Sequence, residues 1–484
     1  MTPARLIRHL LVSLAAGTLL SCPVLAQQDV DVETSESSAT GVPSDDAASS
    51  VSEPQAPEAA ISEPPAAAEP VVVEEPPQPG KAGASETQSS GGRPPAEDIR
   101  PEGEGEMMEP HPVGQGNIAF KPGKGVEINS ADDDFQLRIR VRVQFLYTLL
   151  RGSAGPREAD ESEDLRNDFR IRRARFVFQG HAFGKDNHYK LEIDPLRPDN
   201  VVLDYYLDFT QNRDVEVRVG QYKISSNRER VISSGNLQMV DRSSVNAEFS
   251  LDRDIGIDIR SRDFLGKNKM RYVLGISSGN GINNFHFQDF GMVYLARFEY
   301  LPMGIFDDYS ETDFERTKSR LSIGATYSFF VHAEKQLGMV GLPFADGGTA
   351  NYQFAYVDLM YKVRGFSLLS QFALRTGKRI VGDAIDPETG LPFDPTPARN
   401  GVGWMAQAGY LIPHTRLEFA GRGSIIRATT STSGVPDLNG VTFSASWYFF
   451  QHPFKIQADV SEEWESESFG DGATTVRIQL QASL

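Results

Sequence analysis

The chain has 484 residues, 39 % of them hydrophobic, a mean hydropathy of −0.35 and a formal net charge of −18. Beyond the N-terminus it has no apolar run long enough for a spanning helix. That excludes the helical membrane class but not a transmembrane barrel, in which only alternate strand residues meet lipid. The acidic balance and the single cysteine also argue against nucleic-acid binding and against a disulfide scaffold.

Residues 1–26 read as a secretory signal: Arg5 and Arg8 precede an apolar stretch from Leu10 to Leu20, and Val24-Leu25-Ala26 precedes Gln27. A lipoprotein signal ending at Cys22 is the alternative. Cleavage after Ala26 leaves a mature chain without cysteine. Residues 27–116 are rich in Pro, Ala, Glu and Ser. Residues 1–116 hold 19 acidic and 5 basic side chains, a net of −14, which leaves −4 for 117–484. Such a segment buries too little apolar surface to offset its chain entropy, so it is predicted to be a disordered, solvated linker.

After a lead-in, Asn117–Asp134, sixteen segments with strand character follow in residues 117–484. They lie near 135–150, 167–182, 186–195, 201–211, 214–222, 254–261, 269–278 and 293–301, then near 320–330, 351–363, 365–376, 403–411, 415–426, 440–450, 453–462 and 474–484. The first sets the pattern. In Phe135–Tyr147, Leu137, Ile139, Val141 and Val143 share one face, and Arg138, Arg140, Arg142 and Gln144 share the other, because successive strand side chains point to opposite sides. Same-face neighbours lie roughly 6.6 Å apart, so the arginines form a ladder, and no carboxylate shares that face of the strand nearby. Arg173 and Arg175 share a face on the second segment, opposite Ala174, Phe176 and Phe178. Later segments alternate likewise, with Arg218 between Val217 and Val219, and Asp258 between Ile257 and Ile259.

The connections carry independent information. Gly184-Lys185, Asn212-Arg213, Arg364-Gly365, Pro413-His414 and Gln451-His452 are short, whereas 151–166, 223–253, 279–292, 331–350, 377–401 and 427–439 are long. Short turns at one end and long loops at the other are the asymmetry of outer-membrane barrels. The link 195–200 and the long stretch 302–319 break the rule. Aromatics at segment ends, as in Tyr205-Tyr206, Tyr300 and Trp447–Phe450, suit interfacial girdles. The predicted fold is all-β: a transmembrane antiparallel barrel of about sixteen strands, preceded by the disordered segment. The stretch 223–253 is predicted to fold inward and narrow the pore, with Lys223, Arg228, Arg230 and Arg242 making it basic among Glu229 and Asp241.

Several of these elements resemble the phosphate-selective porin O and P family: FRIRRARFVF at Phe169–Phe178, VRVGQYK at Val217–Lys223, Glu229, Ser233-Ser234, Met239–Ser243 and Arg297–Pro302. The resemblance spans about three quarters of the chain. It implies a homotrimer of sixteen-stranded barrels in the outer membrane of a Gram-negative bacterium. It implies passive diffusion of small anions, phosphate or polyphosphate among them, past a basic ladder and an inward-folded loop. Lys223, Arg173 and Arg175 match family motif positions. The candidate pore-lining or anion-binding residues are Arg138, Arg140, Arg142, Arg173, Arg175, Arg218, Lys223, Arg228, Arg230 and Arg242. Ser225 stands where many relatives have proline, the chain ends at Leu484 rather than an aromatic, and Asp204, Asp208, Glu216, Asp258 and Glu418 share the inward phase. These departures favour an anion-leaning porin over a phosphate-specific one.

Other classes find less support. The eight histidines are scattered, and neither H-E-x-x-H nor G-x-S-x-G occurs, so no enzyme, metal or cofactor is predicted. Asp132-Asp133-Asp134 lacks the remainder of a calcium loop and reads as a solvated turn. The alternative function is a structural or tethering barrel whose N-terminal segment engages the cell wall or another envelope component, with little transport selectivity.

Overall fold

The structure, a computed structural model, describes residues 116–151, 165–284, 291–465, 469 and 472–484. The predicted signal, Cys22 and the Pro-rich linker up to residue 115 lie outside the described residues, as do most of 151–166 and part of 279–292. Sixteen antiparallel strands close a barrel, and every sequence-predicted strand segment is found. These are β3 (Gln136–Arg151), β4 (Leu165–His181), β5 (Asn187–Ile193), β6 (Val202–Asn212), β7 (Val215–Lys223), β8 (Arg253–Ser261), β9 (Met270–Ser277), β10 (Met292–Tyr300), β11 (Arg320–Ala333), β12 (Thr349–Val363), β13 (Phe366–Ile380), β14 (Gly401–Leu411), β15 (Leu417–Ala428), β16 (Leu438–Phe450), β17 (Phe454–Glu465) and β18 (Ala473–Ser483). Closure comes from β18 against β3, in register from Ser483↔Arg142 to Thr474↔Arg151.

The lead-in is not strandless. It forms a hairpin, β1 (Asn117–Lys121) and β2 (Gly125–Asn129). β2 pairs with the start of β3, Val126↔Ile139 to Asn129↔Gln136, along the same edge that β18 occupies higher up. Leu484 and Val141 exchange backbone hydrogen bonds where one strand hands over to the other. The hairpin therefore fills the notch that a short last strand leaves beside β3. Gly125, at φ +87°, is required there, since a Cβ would stand 1.9 Å from the Ile139 carbonyl oxygen. Two five-residue strands are too short for period-two patterning to announce them.

Period two fixes the faces. Leu207, Ile257, Leu274, Val357, Phe419 and Phe443 are exposed on the outside, while Asp358, Arg375, Glu418 and Lys455 are buried inside. The wall is apolar outside, and the interior combines these charged side chains with a buried apolar cluster in which Phe249, Leu251, Phe330, Phe354 and Met405 take part. The aromatic reading needs two corrections. Trp447, Phe449 and Phe450 are exposed, but Tyr206 shares the inward phase of Asp204 and Asp208, and Tyr448 is buried. Loop parity holds except at the short link 194–201 and the long stretch 301–319, the two places where the sequence also breaks it. Cysteines at Glu388 and Ser431, both exposed in long connections, are expected to react with a membrane-impermeant maleimide on intact cells. Cysteines at Arg364 and His414 are expected to react only after the outer membrane is permeabilised. The opposite pattern would invert the topology.

Candidate functional site

Between β7 and β8 the chain makes two short helical turns, α1 (Arg228–Val231) and α2 (Ser244–Phe249). Asn227 caps the first by accepting from Arg230 N at 2.7 Å, and Ser243 caps the second by accepting from Asn246 N at 3.1 Å. The Glu229 carboxylate joins them, accepting from the backbone N and hydroxyl of Ser243, each at 2.7 Å. From this knot, side chains and backbone hydrogen-bond to strands all around the barrel. Arg142 of β3 donates to Ser233 and Ser234 at 2.9 and 3.3 Å. Arg172 of β4 pairs with Asp241 at 2.7 Å. Gln238 donates to Ser367 of β13 and Glu418 of β15, each at 2.7 Å, and Val240 N donates to Asp459 of β17 at 2.9 Å. Glu248 receives Arg375 and Arg399.

Arg228 is the most enclosed of these anchors. Its guanidinium donates to Asp358 at 2.7 Å, Asp308 at 2.6 Å and Glu299 at 3.2 Å, with the Tyr309 ring 5.0 Å away. Arg297 and Arg271 reach the same carboxylates, so three cations and three anions balance in a buried cluster. Burial opposes the charge on Arg228, but Asp358 and Glu299 outweigh it and hold its pKa above the ordinary arginine value. Asp308 belongs to 301–319, which explains why that connection is long. Glu311 N donates to Asn236 O at 3.1 Å and the Glu311 carboxylate accepts from Gln238 N at 2.7 Å, while Thr312 donates to Glu418 at 2.9 Å. The two connections meet.

The predicted basic residues separate into two groups. Arg138 pairs with Glu127 at 2.8 Å, Arg175 with Glu192 at 3.0 Å and Asp194 at 3.1 Å, Arg218 with Asp208 at 2.5 Å, and Arg230 with Asp252; Arg228 sits in its cluster. The ladder is clear of carboxylates on its own strand, as its sequence implies, but Glu127 arrives from the hairpin that the sequence did not reveal. In the second group, Arg142 donates to serine hydroxyls and Lys223 to the carbonyl oxygens of Arg230 and Ile232, at 2.9 and 3.4 Å. Arg242 donates to the carbonyl oxygens of Glu229 and Ile232, at 2.9 and 2.6 Å. Arg173 donates to Gln144 at 2.8 Å and feels Arg172, Arg175 and Arg242 as like charges. Burial and neighbouring Arg230 press the Arg242 pKa down to about 9, which leaves it charged at neutral pH. Arg140 is half-buried on the face of Arg138 and Arg142.

Sequence reasoning missed Arg172. A β-bulge sets Gln144 opposite Arg173 and Phe145 opposite Ile171, and the extra residue turns its side chain inward to Asp241. The adjacent pair Arg172-Arg173, which no strict alternation accommodates, was the available signal. Solvent reaches the β3–β8 side of the interior more than the β12–β15 wall. Arg138, Lys190, Arg218 and Arg260 keep 29, 19, 17 and 15 % of their side-chain surface, whereas Asp358, Gln371, Met405 and Glu418 on β12–β15 are buried.

A closed sixteen-stranded barrel with an apolar outside and a charged interior defines an outer-membrane channel of the porin class. The sequence profile described as phosphate-selective porin O and P matches residues 150–339, from the end of β3 to beyond β11, which bears out the resemblance over that span and places the chain in the outer membrane of a Gram-negative bacterium. Among solved structures the chain is similar to an anion-selective porin from Comamonas acidovorans, at 10 % identity and a TM-score of 0.45, over 72 % of this chain and 99 % of that one. It is similar to the outer-membrane channel DcaP of Acinetobacter baumannii at 10 % identity and a TM-score of 0.44, over 72 % and 97 %. For OmpT of Vibrio cholerae the figures are 10 %, 0.42, 72 % and 98 %. No curated protein sequence matches the chain.

Proposed function

We propose that the barrel is a passive channel for small anions, narrowed by the stretch between β7 and β8 folding into its lumen. The observation that carries the reading is the second group of basic residues. Arg142 and Arg242 lie in or against that stretch and donate to hydroxyl or carbonyl oxygens rather than to carboxylates, and Lys223 donates to two of its carbonyl oxygens. The hydrogen bonds from Ser233–Val240 to β3, β13, β15 and β17 support the inward fold. Phosphate belongs among the permeant anions, because arginine forks match its oxygens, and a homotrimer is the assembly proposed. The test is the reversal potential of the purified protein in a planar bilayer under a salt gradient. Chloride and phosphate are expected to outrun potassium; a potassium-selective wild type would overturn the reading.

A further inference from the structure

A row of cations and phenol rings crosses four neighbouring strands, β5 to β8, where Lys190, Arg218 and Arg260 keep part of their side-chain surface. The Arg218 guanidinium lies 3.8 Å from the centre of the Tyr206 ring and 5.4 Å from that of Tyr222. Arg260 stands 5.9 Å from Tyr222, Lys190 Nζ stands 6.0 Å from Tyr206, and the two rings meet edge to face at 6.1 Å. A carboxylate fixes each cation: Asp208 takes Arg218 in two bonds of 2.5 and 2.6 Å, Asp258 takes Arg260 at 2.5 Å, and Asp204 takes Lys190 at 2.5 Å. Tyr206 is half-buried, and Arg260 Nε has no hydrogen-bond partner among the described residues.

This surface does not suit an inorganic oxyanion. The charges along it are balanced, and a bare phosphate has no use for an aromatic face. It suits a molecule with hydroxyl groups and a C–H or ring face, because fixed donors and acceptors alternate along it and the planes of Arg218 and Tyr206 offer stacking area. Beside it, on β3, stand Arg140, half-buried, and Arg142, which donates to serine hydroxyls rather than to a carboxylate. The two adjoin, since Glu192 of β5 pairs with Arg175 of β4 at 3.0 Å and Arg175 is among the charges acting on Arg142.

Resting on the anion-channel reading, we propose that the preferred permeant is a hydroxylated organic anion of the sugar-phosphate class. Its phosphate meets Arg140 and Arg142 of β3, and its hydroxyls and ring meet the Lys190–Tyr206–Arg218 row. Neither half alone supplies the preference. A permeant with both groups gains from the two surfaces together, whereas inorganic phosphate uses only the first and an uncharged sugar only the second.

The test is block of chloride current through single channels of the full chain by three probes: glucose 6-phosphate, inorganic phosphate and glucose. Glucose 6-phosphate is expected to half-block at a concentration about tenfold below that of inorganic phosphate, with glucose weaker than either. Tyr206→Ala is expected to raise the glucose 6-phosphate value about fivefold relative to that of phosphate. Arg142→Gln is expected to raise both together. Glucose 6-phosphate blocking no more tightly than phosphate, or Tyr206→Ala moving both probes equally, would overturn the inference and leave the anion channel standing. A potassium-selective wild type would instead remove the reading on which the inference rests. The wild-type comparison decides the matter even if a variant fails to assemble.

Discussion

Replacing Arg228 by methionine is expected to free the stretch between β7 and β8 from the β10–β12 wall and to raise single-channel conductance and its noise. The reason is the company this side chain keeps. Glu299, Asp308 and Asp358 are all buried, and Arg228 contributes one of the three cations that balance them. Removing one partner from a buried ion cluster leaves an uncompensated charge, which costs about 3–5 kcal/mol. Local detachment is the easiest relief, because water can then reach the carboxylates while the strand ladders remain paired. The barrel should stay heat-resistant on gels, since none of its inter-strand hydrogen bonds depends on Arg228. Arg228→Lys keeps the charge and loses the fork, so it should fall between wild type and Arg228→Met. A methionine variant with wild-type conductance and noise would mean that Arg228 does not hold the stretch in place.

How far the sequence reaches depends on which physical rule sets each feature. Period-two alternation sets the face of a side chain within its own strand, so residues alone place Arg142, Arg173 and Arg218 inward, and they are inward. Loop parity likewise depends only on strand count and chain direction, and the anomaly at 302–319 is visible in the sequence although its content is not. Cross-strand partners belong to another class. Which carboxylate meets Arg175 or Arg218 depends on register between strands, and register follows from barrel shear, which no single strand encodes. Glu127 is the sharpest case. It lies in a lead-in with no visible strand pattern, and only the notch beside a short β18 brings it to Arg138 at 2.8 Å. Tyr206 shows the same limit within β6, where two adjacent tyrosines read as a girdle although one of them turns inward.

The ladder variants are expected to move ion selectivity, and the structure orders them. At an effective dielectric constant of about 20, a unit charge about 8 Å from a permeating ion contributes about 2 kcal/mol. A Debye length of about 8 Å at physiological salt trims this to roughly 1 kcal/mol, or about fivefold in permeability ratio per charge. Arg142→Gln removes a cation that donates to serine hydroxyls, so it should lower the chloride-to-potassium ratio by about that factor. Arg140→Gln should act similarly, because Arg140 stands half-buried on the same face. Arg138→Gln should also shift selectivity toward potassium, by releasing Glu127 from one of its two cations while Lys121 keeps hold at 2.8 Å. Lys223→Gln weakens two hydrogen bonds to the carbonyls of Arg230 and Ile232, so any shift toward potassium should come with added current noise. The triple variant Arg138/Arg140/Arg142→Gln should approach or cross into potassium preference, whereas each single variant remains nearer to wild type. Reversal potentials under one fixed salt gradient measure the whole series. Variants indistinguishable from wild type would mean that these side chains do not face the conducting path.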